Sequence, residues 1–282
     1  MPVRGRAAAG LKEGDMPTVI CHEPEPGERV RFVSDLHLGH ERCCLPAAEL
    51  LPGLVRGCDT LVFNGDLAET RPCEWREQAL TLRARLLEQC TRAGVRTFLL
   101  AGNHDPDVQP MLLKLWGGSV AAMHGHALYR EVAPWSWEYL RHKQECRALI
   151  AAHPEADEDL TARLELARAM SMLHRPIMRR SSALPGPLRS LLHCFWPPER
   201  PWAIVRCWLR SAALANAFAE HYLPGVRTLV LGHFHRSGQW QFPRCRVYNT
   251  GAFFKHATPF FLDLQDGRVL RYAPVRSLFG GA

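Results

Sequence analysis

The sequence of 282 residues predicts an α/β fold, in which a sheet is covered on its faces by helices. Two observations lead to this prediction. Short apolar segments typical of strands alternate with longer segments of helical character. In addition, the polar residues that ask for a functional explanation come directly after the strand-like segments, at the edge where α/β sheets bind their ligands.

The first half of the chain begins with a segment of little structure and then alternates strands and helices. Residues 1–28 are rich in Gly, Pro, Ala and charged residues, and we expect a flexible tail there. The alternation that follows predicts strands at 29–34, 60–64, 96–101 and 119–123. It predicts helices at about 46–56, 74–93 and 107–116.

The composition and the hydrophobic pattern of the sequence change at about residue 130. Residues 130–225 favour helix, contain few strand patterns and are interrupted by prolines, which predicts a helical cap or lid inserted into the sheet domain. Strands are predicted to resume at 227–231, 239–242 and 244–248, followed by a hairpin of 260–264 and 268–272 that turns at Asp266-Gly267. The predicted core is therefore formed by 29–129 and 226–282.

Composition narrows the class of protein. The chain is 47% hydrophobic and 22% charged, as expected for a globular domain. Its ten cysteines form no Cys-x-x-Cys pair, and without a recognisable export signal they predict reduced thiols in a cytoplasmic protein. The longest apolar stretch contains Arg206 and Arg210, so no membrane span is expected. The net charge of +7 indicates an anionic partner without choosing among nucleic acid, phospholipid and small phosphates.

Five polar segments follow the predicted strands. They are Asp35-Leu-His37, Asn64-Gly-Asp66, Gly102-Asn103-His104-Asp105, His124-Gly-His126 and Gly232-His233-Phe-His235. Since strand ends meet at one edge of a sheet, a single site is the economical interpretation. Alternation in an extended segment would point Asp35 and His37 to the same side, and the same holds for His233 and His235. Glycines allow tight turns beside them, at 65, 102, 125 and 232.

Carboxylates, a carboxamide and imidazoles, without a thiolate, suit Mn²⁺, Fe²⁺, Zn²⁺ or Co²⁺ better than Ca²⁺. Two divalent ions beside Asp35 and Asp66 would retain positive charge for a hydroxide and a phosphate, and would lower the pKa of bound water to about 7. Each residue alone has an ordinary explanation as a helix cap, a turn residue or a hydrogen-bonded histidine. Their ordered recurrence favours a metal site.

The five segments, in this order, resemble the motif blocks of the calcineurin-like metallophosphoesterase superfamily over residues 29–129 and 226–275. The resemblance implies a four-layer αββα sandwich with a dinuclear centre at the sheet rim. One metal would be held by Asp35, His37, Asp66 and His235. The other would be held by Asn103, His124, His233 and the bridging Asp66. Mn²⁺ is the first expectation for both ions, with Fe²⁺, Zn²⁺ and Co²⁺ as alternatives.

The same resemblance implies roles for the neighbouring residues. His104 would be the catalytic imidazole, which protonates the leaving oxygen or stabilises charge on the transition state, and Asp105 would orient it. His40 would contact a substrate phosphate. His126 would either bind substrate or hydrogen-bond a metal ligand.

The predicted cap bears on the substrate. Between residues 167 and 219 there are eight arginines and one acid, Glu199, interleaved with large apolar residues. Such a surface favours anionic lipid, and Arg179 and Arg180 are the expected substrate contacts. Alternatively, the apolar residues pack the cap onto the sandwich and the arginines face solvent. A second subunit could also cover the cap, so the oligomeric state stays open.

With the Gly65-Asp66-Leu-x-Glu69 segment and the helical insertion, the layout resembles bacterial UDP-2,3-diacylglucosamine pyrophosphatases. That resemblance implies cleavage of a lipid-linked sugar-nucleotide pyrophosphate in the lipid A pathway, by a cytoplasmic enzyme peripheral to the inner membrane. His104 and His126 stand where that group commonly has Arg and Asp. The alternative is a phosphodiesterase, phosphatase or nuclease for a soluble phosphate ester, with nucleic acid the less favoured partner. A metal-free binding protein is the third interpretation.

Overall fold

The structure is a computed structural model that describes residues 17–40, 43, 52–71, 73–173, 199–255 and 257–279. Arg179 and Arg180, expected to contact substrate, lie outside the described residues. So do residues 1–16 of the predicted tail and most of the helix predicted at 46–56, of which residues 52–55 are described and helical.

The strands of the described part are β1 (Val19–His22), β2 (Arg29–Val33), β3 (Thr60–Asn64), β4 (Arg96–Leu100), β5 (Leu112–Leu115), β6 (Val120–Met123), β7 (Thr228–Leu231), β8 (Gly238–Gln241), β9 (Arg246–Asn249), β10 (Phe260–Gln265) and β11 (Arg268–Pro274). The α-helices are α1 (Cys73–Arg92), α2 (Trp137–Arg141), α3 (Lys143–Ala152), α4 (Leu160–Leu173) and α5 (Glu199–Tyr222). Short 3₁₀ turns occupy His126–Leu128, Pro154–Asp157 and Val275–Leu278.

These strands form two sheets. One has the order β11-β10-β2-β3-β4 and the other β1-β5-β6-β7-β9-β8. Strands β2, β3 and β4 are parallel to one another, as are β6, β7 and β9. The Asn64 side chain joins the sheets where these strands end, because its Nδ2 donates to the carbonyls of Met123 and Val230 at 2.9 and 3.1 Å. The carboxyl ends of β3, β6 and β7 therefore meet at one rim.

Three apolar clusters divide the molecule into layers. Between the sheets pack residues such as Phe32, Val62 and Val230, all fully buried. Helix α1 covers the outer face of the five-stranded sheet with side chains that include Leu86. Helices α4 and α5 cover the outer face of the six-stranded sheet, where Phe218 joins the buried cluster. The order of layers is αββα, which confirms the predicted fold class.

Helices α2 to α5 come from the segment predicted as a cap, residues 130–225. In the described part of this segment, the inner faces of α4 and α5 belong to the same apolar cluster as β5, β6, β7 and β9. The insertion therefore supplies one of the four layers of the sandwich. Among the described helices, none combines the length and hydropathy needed to cross a bilayer.

Two elements differ from the sequence prediction. Residues 19–22 form β1, paired in parallel with β5, so part of the predicted tail is a strand. The helix predicted at 107–116 is wrong, because Leu112–Leu115 is strand β5, paired with both β1 and β6. A short run such as Leu-Leu-Lys-Leu fits a buried strand and a helix equally well, and only the partner strands decide between them.

Candidate metal centre

The loop after β2 brings an acid and an imidazole to the rim. Asp35 and His37 have φ angles of 55° and 49°, in the left-handed region that non-glycine residues rarely adopt. Their side chains therefore converge through a turned backbone, and the expectation that an extended segment would align them is wrong. The backbone N–H groups of Asp35 and His37 donate to the carbonyls of Gly65 and Asp66, which ties this loop to the one after β3.

Asp66, His233 and His235 also have positive φ angles, of 51°, 69° and 53°. Such conformations cost free energy, and they persist at functional sites where the surroundings over-determine them. Glycine is required at the points of closest approach. A Cβ on Gly102 would collide with the backbone N and Oδ1 of Asp66, and one on Gly232 would collide with the Asp35 carboxylate.

The first cluster is formed by Asp35, His37, Asp66 and His235, whose potential ligand atoms all lie within 4.8 Å of one another. His37 Nε2 lies 3.9 Å from Asp35 Oδ1 and 3.7 Å from Asp66 Oδ2. His235 Nε2 lies 3.3 Å from the same Asp35 oxygen. The structure thus brings together the four residues that the sequence assigned to one metal, three of them buried and His235 partly exposed.

The second cluster comprises the residues expected at the second metal, and within it His124 Nε2 lies 3.2 Å from Asp66 Oδ2. Asp66 Oδ2, Asn103 Oδ1 and His124 Nε2 are buried and have no hydrogen-bond partner among the described residues. The ring of His124 is oriented by its Nδ1–H, which donates to the Asn64 carbonyl at 3.0 Å, so Nε2 is the nitrogen left for a ligand. Because buried acceptors are normally paired, these orphaned atoms fit a divalent cation.

His233, the fourth residue expected at the second metal, makes hydrogen bonds through both its backbone and its side chain. Its backbone N–H donates to both carboxylate oxygens of Asp35, at 3.1 and 3.0 Å. Its Nε2 lies 3.0 Å from the Val132 carbonyl, to which it donates. Only Nδ1 of this imidazole therefore remains available as a ligand.

The charged residues of the site shift one another's pKa values. Burial alone would raise the pKa of Asp66, but the positive charges of His124 and His104 outweigh it and hold that pKa well below its usual value. Burial likewise opposes ionisation of Asp35, and the charge of His124 again lowers its pKa. Burial would lower the pKa of His124, but the carboxylates of Asp66 and Asp35 raise it to about 9. The carboxylates are therefore ionised and ready to bind a cation.

His104 lies between two charged side chains that the sequence analysis assigned no role. Its Nδ1 is 2.7 and 2.8 Å from the two carboxylate oxygens of Glu69. Glu69 Oε2 also lies 3.4 Å from Nδ1 of His37, so this buried acid joins a candidate metal ligand to the candidate catalytic imidazole. On the other side, Nη2 of Arg71 is 2.7 Å from His104 Nε2. Glu69 belongs to the Gly65-Asp66-Leu-x-Glu69 segment already noted in the sequence, whereas the only signal for Arg71 was its position in the loop that follows Asp66.

Asp105 was expected to orient His104, and this expectation is wrong. Its carboxylate instead accepts the backbone N–H groups of Asp66, Leu67 and Gly102, at 3.0, 2.8 and 2.8 Å. Burial and the neighbouring charge of Asp66 raise the pKa of Asp105 to about 6. Asp105 therefore holds the loops after β3 and β4 together, while Glu69 is the acid that contacts His104.

Two further histidines border the site. The ring of His40 lies 6.3 Å from that of His37 and packs against Trp75 and Phe254 at centroid distances of 5.0 and 5.2 Å. His126 is buried, with its ring 5.5 Å from that of His124, and neither of its nitrogens has a partner among the described residues. Burial and the charge of His124 lower the pKa of His126 to about 3, so its imidazole is neutral.

Known proteins provide an independent comparison. The family model for calcineurin-like phosphoesterase matches residues 28–237. No curated protein matches the sequence. A dimetal phosphatase from Danio rerio is similar in structure, with a TM-score of 0.45, 11% identity and coverage of 86% of this chain and 93% of its own.

Two more solved structures are similar at the level of the fold. A cold-active protein-tyrosine phosphatase of a Shewanella species has a TM-score of 0.42 and 15% identity, over 97% of this chain and 89% of its own. Vacuolar protein sorting 29 from Cryptosporidium parvum has a TM-score of 0.36 and 14% identity, over 89% of this chain and 97% of its own. These values carry no argument about substrate.

The family model covers both clusters, from the loop after β2 to His235. The candidate ligands are carboxylates and imidazoles, as divalent metals require. The chain therefore belongs to the calcineurin-like phosphoesterase family and is a metal-dependent phosphoesterase.

Proposed function

We propose that this phosphoesterase hydrolyses the pyrophosphate bond of a lipid-linked sugar nucleotide of the UDP-2,3-diacylglucosamine type, as a cytoplasmic enzyme at a membrane surface. The observation that carries the proposal is the outer face of α5. Trp202 and Leu209 are 76% and 73% exposed, and Val205 lies between them on the same face. Exposed Arg206 and Arg210 flank these apolar side chains. A helix face of this composition matches an anionic lipid surface.

This face adjoins the candidate metal centre. The indole Nε1 of Trp208 donates to the Phe234 carbonyl at 3.1 Å, and Phe234 stands between His233 and His235. Arg236, just after them, reaches the Trp208 carbonyl at 3.5 Å. An acyl chain that lies along α5 would therefore have its polar head close to the clustered carboxylates and imidazoles.

Each group of residues in the site would have its own role in hydrolysis. Divalent ions, Mn²⁺ first and Fe²⁺, Zn²⁺ or Co²⁺ as alternatives, lower the pKa of bound water and neutralise phosphoryl charge when bound. The two clusters would hold them through Asp35, Asp66 and the surrounding imidazoles and carboxamide. His104 would donate a proton or a hydrogen bond to the leaving oxygen. Glu69 would keep the ring of His104 oriented, and His40 at the aromatic rim would contact the substrate.

A second candidate function is hydrolysis of a soluble phosphomonoester or phosphodiester, including a nucleic acid. The contact between His104 and Glu69 favours it, because a positioned general acid matters most for alkoxide leaving groups of high pKa. The exposed arginines of α5 would then contact a soluble polyanion.

The test is a substrate comparison with metal-loaded protein. UDP-2,3-diacylglucosamine, a cyclic nucleotide and an aryl phosphodiester are assayed with and without vesicles that contain anionic lipid. We expect kcat/KM to be highest for the lipid-linked substrate, by roughly 10²-fold or more. The face of α5 would bind its acyl chains, and the two clusters would bind its phosphates. Cleavage of the cyclic nucleotide or the aryl ester, with the lipid-linked substrate left intact, would favour the second candidate.

A further inference from the structure

Arg71 lies against the catalytic imidazole. Its Nη2 is 2.7 Å from Nε2 and 3.0 Å from Nδ1 of His104. A carboxylate only accepts hydrogen bonds, so Nδ1 of His104 carries a proton that faces Glu69. The near-equal distances place Nη2 of Arg71 beside both ring nitrogens rather than along the lone pair of either one. The guanidinium therefore lies against the imidazole that would face a leaving group.

The backbone places Arg71 there. Thr70 donates its N–H to the His104 carbonyl at 3.2 Å and its Oγ1 to the same oxygen at 2.9 Å. Thr70 Oγ1 also contacts Asp107 at 3.1 Å, and Arg76 donates to the Thr70 carbonyl at 3.1 Å. The positions of Arg71 and His104 are thus coupled through main-chain contacts that do not involve either side chain.

The charge of Arg71 is not neutralised by an ion pair in the described part of the chain. Glu69 directs its carboxylate to His104 and His37, and Asp107 is shared by Thr70 and Arg83. The Nε of Arg71 is buried and has no hydrogen-bond partner among the described residues. A guanidinium with unused donors beside a phosphoryl-transfer site is suited to bind a phosphate in bidentate geometry.

We propose that Arg71 forms a subsite for a second phosphate, the one carried by the leaving group, and so selects pyrophosphate diesters over simple phosphate esters. The inference rests on the proposed function and deepens it. An ester that lacks a second phosphate would leave the guanidinium against His104. A pyrophosphate would draw it away and leave the imidazole of His104 free beside the bridging oxygen.

Hydrolysis of such a substrate balances without a further reactant. The oxygen of one water molecule forms a bond to the phosphorus held at the two clusters. The bond from that phosphorus to the bridging oxygen breaks, and its electron pair stays with the leaving phosphate. The two protons of the water pass to the phosphate products or to solvent. Arg71 neutralises the charge that appears on the leaving phosphate, which is the larger need when the leaving group is already acidic.

The experiment compares Arg71→Ala and Arg71→Lys with the unmodified protein on two substrates, UDP-2,3-diacylglucosamine and an aryl phosphodiester. Loss of a charged hydrogen-bonding partner should lower kcat/KM for the pyrophosphate roughly 10–100-fold, with partial recovery in Arg71→Lys. The value for the aryl ester should not fall, since that substrate makes no such contact and Arg71→Ala removes only the guanidinium that lies against His104. Arg92→Ala, an exposed site on α1, controls for the change in net charge.

Binding gives a readout that does not depend on turnover. Calorimetry with AMP and with non-hydrolysable α,β-methylene-ADP measures what the second phosphate adds to affinity. The unmodified protein and Arg92→Ala should prefer the diphosphate analogue roughly tenfold or more, and Arg71→Ala should lose that preference. Metal content, measured for each variant, shows whether the centre is intact.

Failure of the Arg71 subsite and failure of the proposed function would give different results. If the unmodified protein cleaves the pyrophosphate, and Arg71→Ala affects both substrates equally or neither, the Arg71 subsite is refuted and the proposed function stands. If the unmodified protein cleaves only the aryl ester and binds the two nucleotides equally, both proposals are refuted.

Discussion

The rim of the sheets and the outer face of α5 differ in burial: the rim is enclosed by the protein, and the α5 face is exposed. At the rim, Asp35, Asp66 and His124 are completely or almost completely buried, and backbone contacts tie their loops together. On α5, Trp202 and Leu209 project into solvent, and no described residue covers them. The rim is therefore organised before any ligand arrives, whereas the α5 face depends on what it meets. Substitutions at the two places should separate chemistry from substrate capture.

The largest effect is expected for Asp66→Ala. Asp66 belongs to both clusters, so its loss should release both ions and reduce hydrolysis of every substrate to background. Metal analysis per chain is the measurement, with Glu220→Gln on the surface of α5 as the control. Retention of two ions by Asp66→Ala would refute the bridging position of this carboxylate.

His104→Gln should have the next largest effect. Removal of a general acid lowers turnover by roughly 10²–10⁴-fold, while both metal sites should remain because His104 is a ligand in neither cluster as assigned. Steady-state kinetics and metal analysis on the same preparation check this expectation. Unchanged turnover, or loss of the metals with the imidazole, would remove His104 from the proposed role.

Glu69→Gln should reduce activity less than His104→Gln. The amide can still accept from His104 and His37 but lacks the charge, and changes next to metal ligands typically cost roughly 10–100-fold in metal affinity or activity. Chelator competition measures the metal affinity, and steady-state kinetics measure the activity. Asp105→Asn is the informative partner, because it should lower thermal stability through the loops after β3 and β4 and leave the contact between His104 and Glu69 in place. If Asp105→Asn mimicked His104→Gln while Glu69→Gln were silent, the assignment of the two acids would be reversed.

Metal affinity should rise with pH by about tenfold per unit between pH 7 and 8. The pKa of His124 in the metal-free protein is raised to about 9, so a bound proton must leave before Nε2 can bind a metal. Asp35 and Asp66 have lowered pKa values and are already ionised, so they add no dependence in this range. Calorimetry in buffers of different ionisation enthalpy counts the released protons. Zero release over this interval would show that His124 is neutral in the free protein.

The smallest effect on chemistry is expected on α5. Trp202→Ala and Leu209→Ala should each weaken sedimentation with anionic vesicles by about tenfold, since each removes an apolar side chain that the lipid would bury. Hydrolysis of the aryl phosphodiester should be unaffected. Leu270→Ala, an exposed apolar site on β11, is the matched control. Equal vesicle binding by all variants would contradict a lipid partner for this face.

The sequence predicted the α/β class and the gathering of polar residues at one rim because strand ends and polar segments coincide in the chain. Asp35 and Asp66 each follow a short buried strand, and such a local pattern needs no knowledge of distant contacts. Strand β5 was missed because a run as short as Leu-Leu-Lys-Leu does not separate a strand from a helix until its partners β1 and β6 are known. The prediction of a flexible tail was wrong at residues 19–22, because β1 pairs with β5 some ninety positions away.

The roles of the two acids near His104 depended on side-chain direction. Asp105 is adjacent to His104 in sequence, yet its carboxylate turns to the amides of the loop after β3. Glu69 is 35 positions away and contacts the imidazole directly. Proximity in sequence therefore suggested the wrong partner, and Arg71 carried no motif by which to recognise it.

The chemistry proposed for this chain depends on two divalent ions bound side by side at the rim. Elemental analysis combined with a crystallographic map at the absorption edge of the metal tests it most directly. We expect one ion among Asp35, His37, Asp66 and His235, and a second among Asp66, Asn103, His124 and His233. A metal-replete crystal that shows no ion there, or places it among other residues, would contradict it.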